Sequence, residues 1–162
     1  MLRFAVLFAL AMGVMSCDDN TVNTSNGVPN QCYDGGCQTS TLPLVGGADA
    51  PSLLAVKLEC QDHAVVVLAT ADDPQGGANL HTVLQTIGVY PDKDCQGAAL
   101  TVQDNFVDVG VEESFGDAVV RMNNPTLYDR ICGCNSWPVQ AQLEDVDGNA
   151  TSGRVVANVI HP

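Results

Sequence analysis

Basic residues are scarce in this chain: six lysines and arginines stand against nineteen aspartates and glutamates, a formal charge of −13. That balance excludes nucleic acid as a partner, because strand or duplex binding draws on a basic surface that a few scattered cations do not form. Electrostatic adhesion to anionic lipid is excluded on the same ground. No apolar run reaches the ~20 residues that a membrane-spanning helix needs, since the run from Phe4 to Met15 stops after about twelve. There is no Cys-x-x-Cys pair, and His63, His81 and His161 stand apart from the cysteines, which argues against a metal centre. A Gly-x-Ser-x-Gly elbow is absent, and so is a helix start carrying a cysteine, the usual setting of a reactive thiol. The sequence thus presents no catalytic residue, no metal ligand set and no cofactor motif.

What is present begins at the N-terminus. Arg3 precedes the apolar run, and Ser16-Cys17-Asp18-Asp19 ends it, which is the charged start, short apolar centre and small-residue break of a secretory signal. The segment Val14-Met15-Ser16-Cys17 resembles the lipobox of bacterial lipoproteins. That resemblance implies cleavage after residue 16, acylation of Cys17 and residence in the bacterial cell envelope on one of its membranes. Asp18 and Asp19 resemble the inner-membrane retention signal of some bacteria, although sorting rules differ between lineages. Cysteine parity agrees, because seven is an odd count for an exported protein, and assigning Cys17 to lipid leaves an even six. Removing residues 1–16 removes one cation and no acid, so five cations face nineteen acids and the charge becomes −14. Attachment to a membrane must then come through the acyl chains on Cys17, and more than one chain is needed for a firm anchor.

Export permits disulfides, and Cys32, Cys37, Cys60, Cys95, Cys132 and Cys134 supply three. Six cysteines allow fifteen pairings, and sequence alone does not choose among them. The turn-forming Tyr33-Asp34-Gly35-Gly36 makes a local Cys32–Cys37 loop the simplest expectation, with attachment of this stretch to the domain as the alternative. Cys132 and Cys134 are too close in sequence to bridge each other without strain, so a structural clasp to Cys60 and Cys95 is expected.

Composition divides the chain into a signal over residues 1–16, a tether over 17–50 and a folded domain over 51–162. The tether is rich in Asn, Thr, Ser, Gly and Asp, with hardly a large apolar residue before Leu42, so it is expected to be flexible. Beyond it, short β-branched runs alternate with turn residues. Strands are expected over 53–60, 64–70, 80–89, 98–102, 106–111, 117–122, 138–144 and 154–160. About seven or eight short strands in such a length point to an all-β, antiparallel sandwich or barrel. Val139, Ala141 and Leu143 alternate with Gln140, Gln142 and Glu144, and Leu54, Val56, Leu58 and Cys60 with Lys57 and Glu59. Val65-Val66-Val67-Leu68 is continuous and reads as a strand covered on both faces. One short helix is expected over 124–130, where Asn124 caps and Pro125 fits the first helical position.

The strand Val139-Gln140-Ala141-Gln142-Leu143, the turn Asp145-Val146-Asp147-Gly148-Asn149 and the returning strand over 152–159 resemble the closing hairpin of bacterial immunoglobulin-like and fibronectin type III-like domains. The resemblance implies a β-sandwich. It does not carry over the family's disulfide or core tryptophan, because Trp137 follows Cys134 and Tyr128 stands four residues before Cys132. The acidic turn is not an EF-hand: counted from Asp145, the glycine position is Ala150 and the twelfth position is Val156. The pairs Asp72/Asp73 and Asp92/Asp94 could join a looser calcium cluster, but each is also ordinary loop acidity. The loops over 70–80 and 90–98 are where such a domain would present a binding surface. The expectation is a non-enzymatic binding or structural module with an envelope protein or polysaccharide partner. The alternative is a calcium-dependent adhesin, or a secreted or periplasmic enzyme using the acidic loops.

Overall fold

Two apolar patterns organise the domain, one alternating and one continuous, and each takes the place its pattern demands. The computed structural model describes residues 32–105 and 115–161, and Cys17 and the run expected over 106–111 lie outside them. The fold is mostly β: β1 (Ser52–Gln61), β2 (Ala64–Asp72), β3 (Leu84–Val89), β4 (Leu100–Asn105), β5 (Phe115–Met122), β6 (Ser136–Glu144) and β7 (Ala150–Ile160). Two short helices, α1 (Gly77–Leu80) and α2 (Pro125–Ile131), sit on connections.

The strands form one sheet in the order β4-β3-β6-β7-β1-β2-β5, and its two edge strands curve toward each other so that the sheet nearly closes. The sheet is mixed, not purely antiparallel as expected. Lys57–Glu59 of β1 runs parallel to Asn158–Ile160 of β7, while the other neighbouring strands pair antiparallel. This first-to-last contact is non-local, so no local hydrophobic pattern encodes it.

On β6, Val139, Ala141 and Leu143 are fully buried while Gln142 and Glu144 are exposed. Residues 64–67 of β2 are buried on both faces, and α2 packs against this strand from outside the sheet ladder. On β1, Val56, Leu58 and Cys60 point inward as expected, but Leu54 does not. The pairing with β2 shifts between Leu53 and Ala55, and this bulge puts Leu53 in the core and leaves Leu54 39% exposed. The expected strand over 80–89 starts late because α1 precedes it. Asp73 accepts hydrogen bonds from the Gln75 backbone N–H at 2.8 Å and the Asn79 amide at 3.0 Å, and Leu80 and Val83 are fully buried anchors. α2 is capped as its sequence asks, with the Asn124 side chain accepting from Leu127 N at 3.0 Å.

Residues 32–50, expected to belong to a flexible tether, are fastened to the domain. Ser40 bridges Val155 in parallel, and Leu44 bridges Leu53 through reciprocal hydrogen bonds of 2.9 and 3.0 Å. Leu44 is seated against β7 at Gly153, where an added Cβ would stand 2.9 Å from its Cδ1. The six cysteines pair as Cys32–Cys134, Cys37–Cys95 and Cys60–Cys132. Cys132 takes Cys60 as expected, but Cys134 takes Cys32 and not Cys95, which pairs with Cys37; the expected local Cys32–Cys37 loop thus gives way to the alternative, attachment of this stretch to the domain. Composition alone understated the order of this stretch because its ordering comes from long-range cross-links, bridges and the seating of Leu44 in the main core, none of which local composition reports.

One core position runs against the pattern. Gln85 shares the inward face of β3 with Ile87 and Val89, is 1% exposed, and neither its Oε1 nor its Nε2 has a hydrogen-bond partner. A buried amide without partners costs about 1–3 kcal/mol. Gln85→Met keeps the length of the side chain and removes both polar atoms, so it should raise the unfolding free energy by about 1–2 kcal/mol. Urea titration checks this, and a lower midpoint would mean that the amide is satisfied.

Candidate functional site

β1 and β7 run in the same direction, so their starts share one end of the domain with the ends of β2 and β6 and the start of β3. This end gathers Asp72, Asp73, Asp145 and Asp147, and no lysine or arginine lies on the β2–β3 or β6–β7 connections. Asp73 and Asp145 are occupied by their own turns, whereas Asp72 Oδ1 is buried without a hydrogen-bond partner among the described residues. Asp145 Oδ1 accepts from Asp147 N at 2.9 Å and Asn149 N at 2.8 Å, and Oδ2 accepts from the Asn149 amide at 2.9 Å. Gly148 takes φ +83°, the left-handed geometry that closes the turn. Burial raises the Asp145 pKa, and the hydrogen bonds from the Asn149 side chain, the Asn149 and Asp147 backbone and Gly148 outweigh it, leaving a net depression below 3.8.

A depressed folded-state pKa stabilises the fold above the unfolded-state value, and this stability is lost as pH falls through the folded-state value. Asp145→Ala should therefore lower the melting temperature at neutral pH by an amount that shrinks as pH drops from about 3.8 downward. Thermal melts across that window check it, and a gap that widened in acid would contradict it.

The opposite end carries the disulfides. Cys60–Cys132 ties the end of β1 to the end of α2, and Cys32–Cys134 secures the N-terminal stretch just beyond. His63 sits in the two-residue Asp62-His63 turn, both residues at positive φ, with its ring 5.5 Å from that of Tyr128. His161 Nε2 lies 3.1 Å from the Cys134 carbonyl oxygen. On the β3–β4 loop, Asp92 Oδ1 accepts from Asp94 N and Gln96 N, while Lys93 pairs with Asp34 at 2.6 Å and Asp94 at 3.3 Å. The Lys93 hydrogen bond holds the Asp34 carboxyl below its usual value, and Asp34 in turn raises Lys93.

The loops over 70–80 and 90–98, where a binding surface is expected, lie at opposite ends of β3, roughly 17 Å apart at a strand rise of ~3.4 Å per residue. They cannot meet a small ligand together. Among the described residues no three His, Cys, Asp or Glu side chains converge to hold a metal ion. No helix among them is long and apolar enough to cross a membrane. Two shallow grooves of about 240 and 140 Å³ are present, and neither is lined by histidine, cysteine or glutamate.

Sequence reasoning missed a node around Tyr90, which links buried Trp137 to exposed Arg154. Trp137 Nε1 donates to the Tyr90 carbonyl oxygen at 2.8 Å, Arg154 Nε donates to the Tyr90 hydroxyl at 2.9 Å, and that hydroxyl lies 3.3 Å from Gln140 Oε1. The Arg154 guanidinium also stands over the Tyr90 ring at 5.6 Å. The single cation of β7, Arg154, was the available signal. Its partners come from strands far apart in sequence.

No family model matches the chain. Eighty-eight residues are 32% identical to part of two proteins named probable beta-glucosidase L, from Neosartorya fischeri and Aspergillus fumigatus. The match covers 49% of this chain, and the chain spans only 12% of the length of either relative. Among solved structures, the wild-type OgpA of Akkermansia muciniphila is similar over 82% of this chain and 30% of its own, at 11% identity and a TM-score of 0.42.

Proposed function

We propose that the protein is a lipid-anchored protein of the bacterial cell envelope, in which acylated Cys17 holds an immunoglobulin-like or fibronectin type III-like sandwich that serves as a non-enzymatic binding or structural module. The observation that carries this reading is cysteine parity. All six downstream cysteines are paired with one another, so Cys17 is the odd residue of the seven. The lipobox-like Val14-Met15-Ser16-Cys17 gives that residue a chemical role.

Strand order supports the sandwich. Cut at the three-residue parallel contact, the sheet separates into β1-β2-β5 and β4-β3-β6-β7. In immunoglobulin lettering these are strands A, B and E facing C′, C, F and G. A first strand that touches both layers accounts for the single continuous sheet.

Replacing Cys17 with alanine removes the acyl acceptor, so Cys17→Ala should move the protein from the membrane to the soluble fraction. Membrane attachment that survives this substitution would contradict the anchor. A polysaccharide partner is favoured over an envelope protein by one observation, the match to a small part of two proteins named as beta-glucosidases. A fragment of that size accords with an accessory module more than with a catalytic unit. Co-sedimentation with insoluble β-glucan tests the partner, and recovery only in the supernatant would remove it.

A further inference from the structure

β1 starts at the acidic end of the domain, so a chain that became ordered only at residue 51 would be tethered there. Residues 32–50 move the point of exit. Leu44 packs in the main core and exchanges backbone hydrogen bonds with Leu53, and the Thr151 hydroxyl donates to the Pro51 carbonyl. These contacts fix the end of the strap beside the start of β7. Its beginning is fixed at the far end of the same strand, because Cys32 is bonded to Cys134, whose carbonyl oxygen lies 3.1 Å from His161 Nε2. Cys37–Cys95 and the 2.6 Å pair of Lys93 with Asp34 tie the strap to the β3–β4 loop at this end as well. From Thr151 to His161 the chain advances about 33 Å at a strand rise of ~3.3 Å per residue. The strap thus carries the exit from one end of the domain to the other.

We propose that the disulfide end of the domain is its membrane-facing surface, set against the headgroup layer of the bilayer that holds the anchor, with the acidic end directed away from it. The inference rests on the reading of Cys17 as the lipid carrier. Chain length supports this direction. From Cys17 to Cys32 the chain reaches at most about 50 Å, whereas from Cys17 to Pro51 it would reach about 115 Å if the strap were unfastened. Turning the acidic end to the bilayer would lift the exit by the length of the domain and draw residues 18–31 to about two-thirds of their full extension. Such stretching costs chain entropy that the opposite orientation does not.

Charge favours the same direction. A bilayer containing anionic lipid has a negative surface potential. The acidic end holds Asp72, Asp73, Asp145 and Asp147 with no lysine or arginine on its β2–β3 and β6–β7 connections, whereas the disulfide end sets Lys93, Arg121 and Arg130 among its aspartates. Repulsion of the acidic end acts within a Debye length, about 8 Å at physiological ionic strength, so charge orients the domain without binding it to the membrane.

Two single substitutions read the orientation without touching a disulfide. Asp129→Cys lies at an exposed position of α2, at the disulfide end, and Val146→Cys lies at a 68% exposed position of the β6–β7 turn, at the acidic end. The six downstream cysteines are paired, so in the lipidated chain each new thiol is the one that takes a maleimide fluorophore. The labelled full chain is reconstituted in vesicles of phosphatidylcholine and phosphatidylglycerol carrying a nitroxide on the headgroups, and only protein that floats with the vesicles is measured. The label of Asp129→Cys should be quenched severalfold more than that of Val146→Cys. Equal quenching of floated protein, or stronger quenching at residue 146, would overturn the orientation while leaving the anchor in place. Protein that does not float would overturn the anchor and the orientation with it.

Discussion

Trp137→Ala should lower the unfolding free energy by about 4 kcal/mol and the melting temperature by roughly 10–15 °C. The side chain is 1% exposed in the main core, and truncation leaves a cavity there that the surrounding packing cannot fully collapse. It also removes the 2.8 Å hydrogen bond to the Tyr90 carbonyl, which anchors the start of the β3–β4 loop. Trp137→Phe separates the two contributions. Most of the ring volume survives, so the loss should fall to about 1–2 kcal/mol, the cost of an unpaired buried carbonyl plus a small void. Equal losses in the two variants would mean that the hydrogen bond, not the packing, carries the effect.

Removing Cys60–Cys132 by the double substitution to alanine should cost about 3 kcal/mol. The link spans 72 residues, but Cys32–Cys134 spans 102 and already closes a ring around it. The second link only divides that ring, so its added constraint on the unfolded chain is that of a much shorter loop. The location sharpens the expectation, because Cys60 is 2% exposed and joins β1 to the end of α2. A loss of this size is a large share of the ~5–15 kcal/mol that holds a domain together. Chemical denaturation of the oxidised variant checks it, and an unchanged midpoint would assign the constraint to the other two bridges.

The parts of the fold legible in sequence are those decided by neighbours along the chain. Val139, Ala141 and Leu143 alternate with polar residues and lie inward. Asn124 before Pro125 caps α2, and Asp145 through Asn149 closes a hairpin turn. What escaped depends on contacts between distant segments. The bulge at Leu54 reverses its phase because β2, not the local pattern, sets the register. The parallel Lys57–Glu59 contact with β7 makes the sheet mixed, and Cys37 finds Cys95 across 58 residues. For the candidate site, the acidic loops were visible as composition, but their use as turn caps was not. An aspartate that accepts backbone N–H groups two and four residues on looks the same in sequence as one free to bind a cation.

The central claim is that Cys17 carries lipid while the other six cysteines staple the domain. Intact mass of the membrane-extracted protein, taken before and after reduction and alkylation, tests it most directly. The account predicts a chain beginning at Cys17 with added acyl mass, and six cysteines that become alkylatable only after reduction. A start elsewhere without lipid, or thiols that react before reduction, would contradict it.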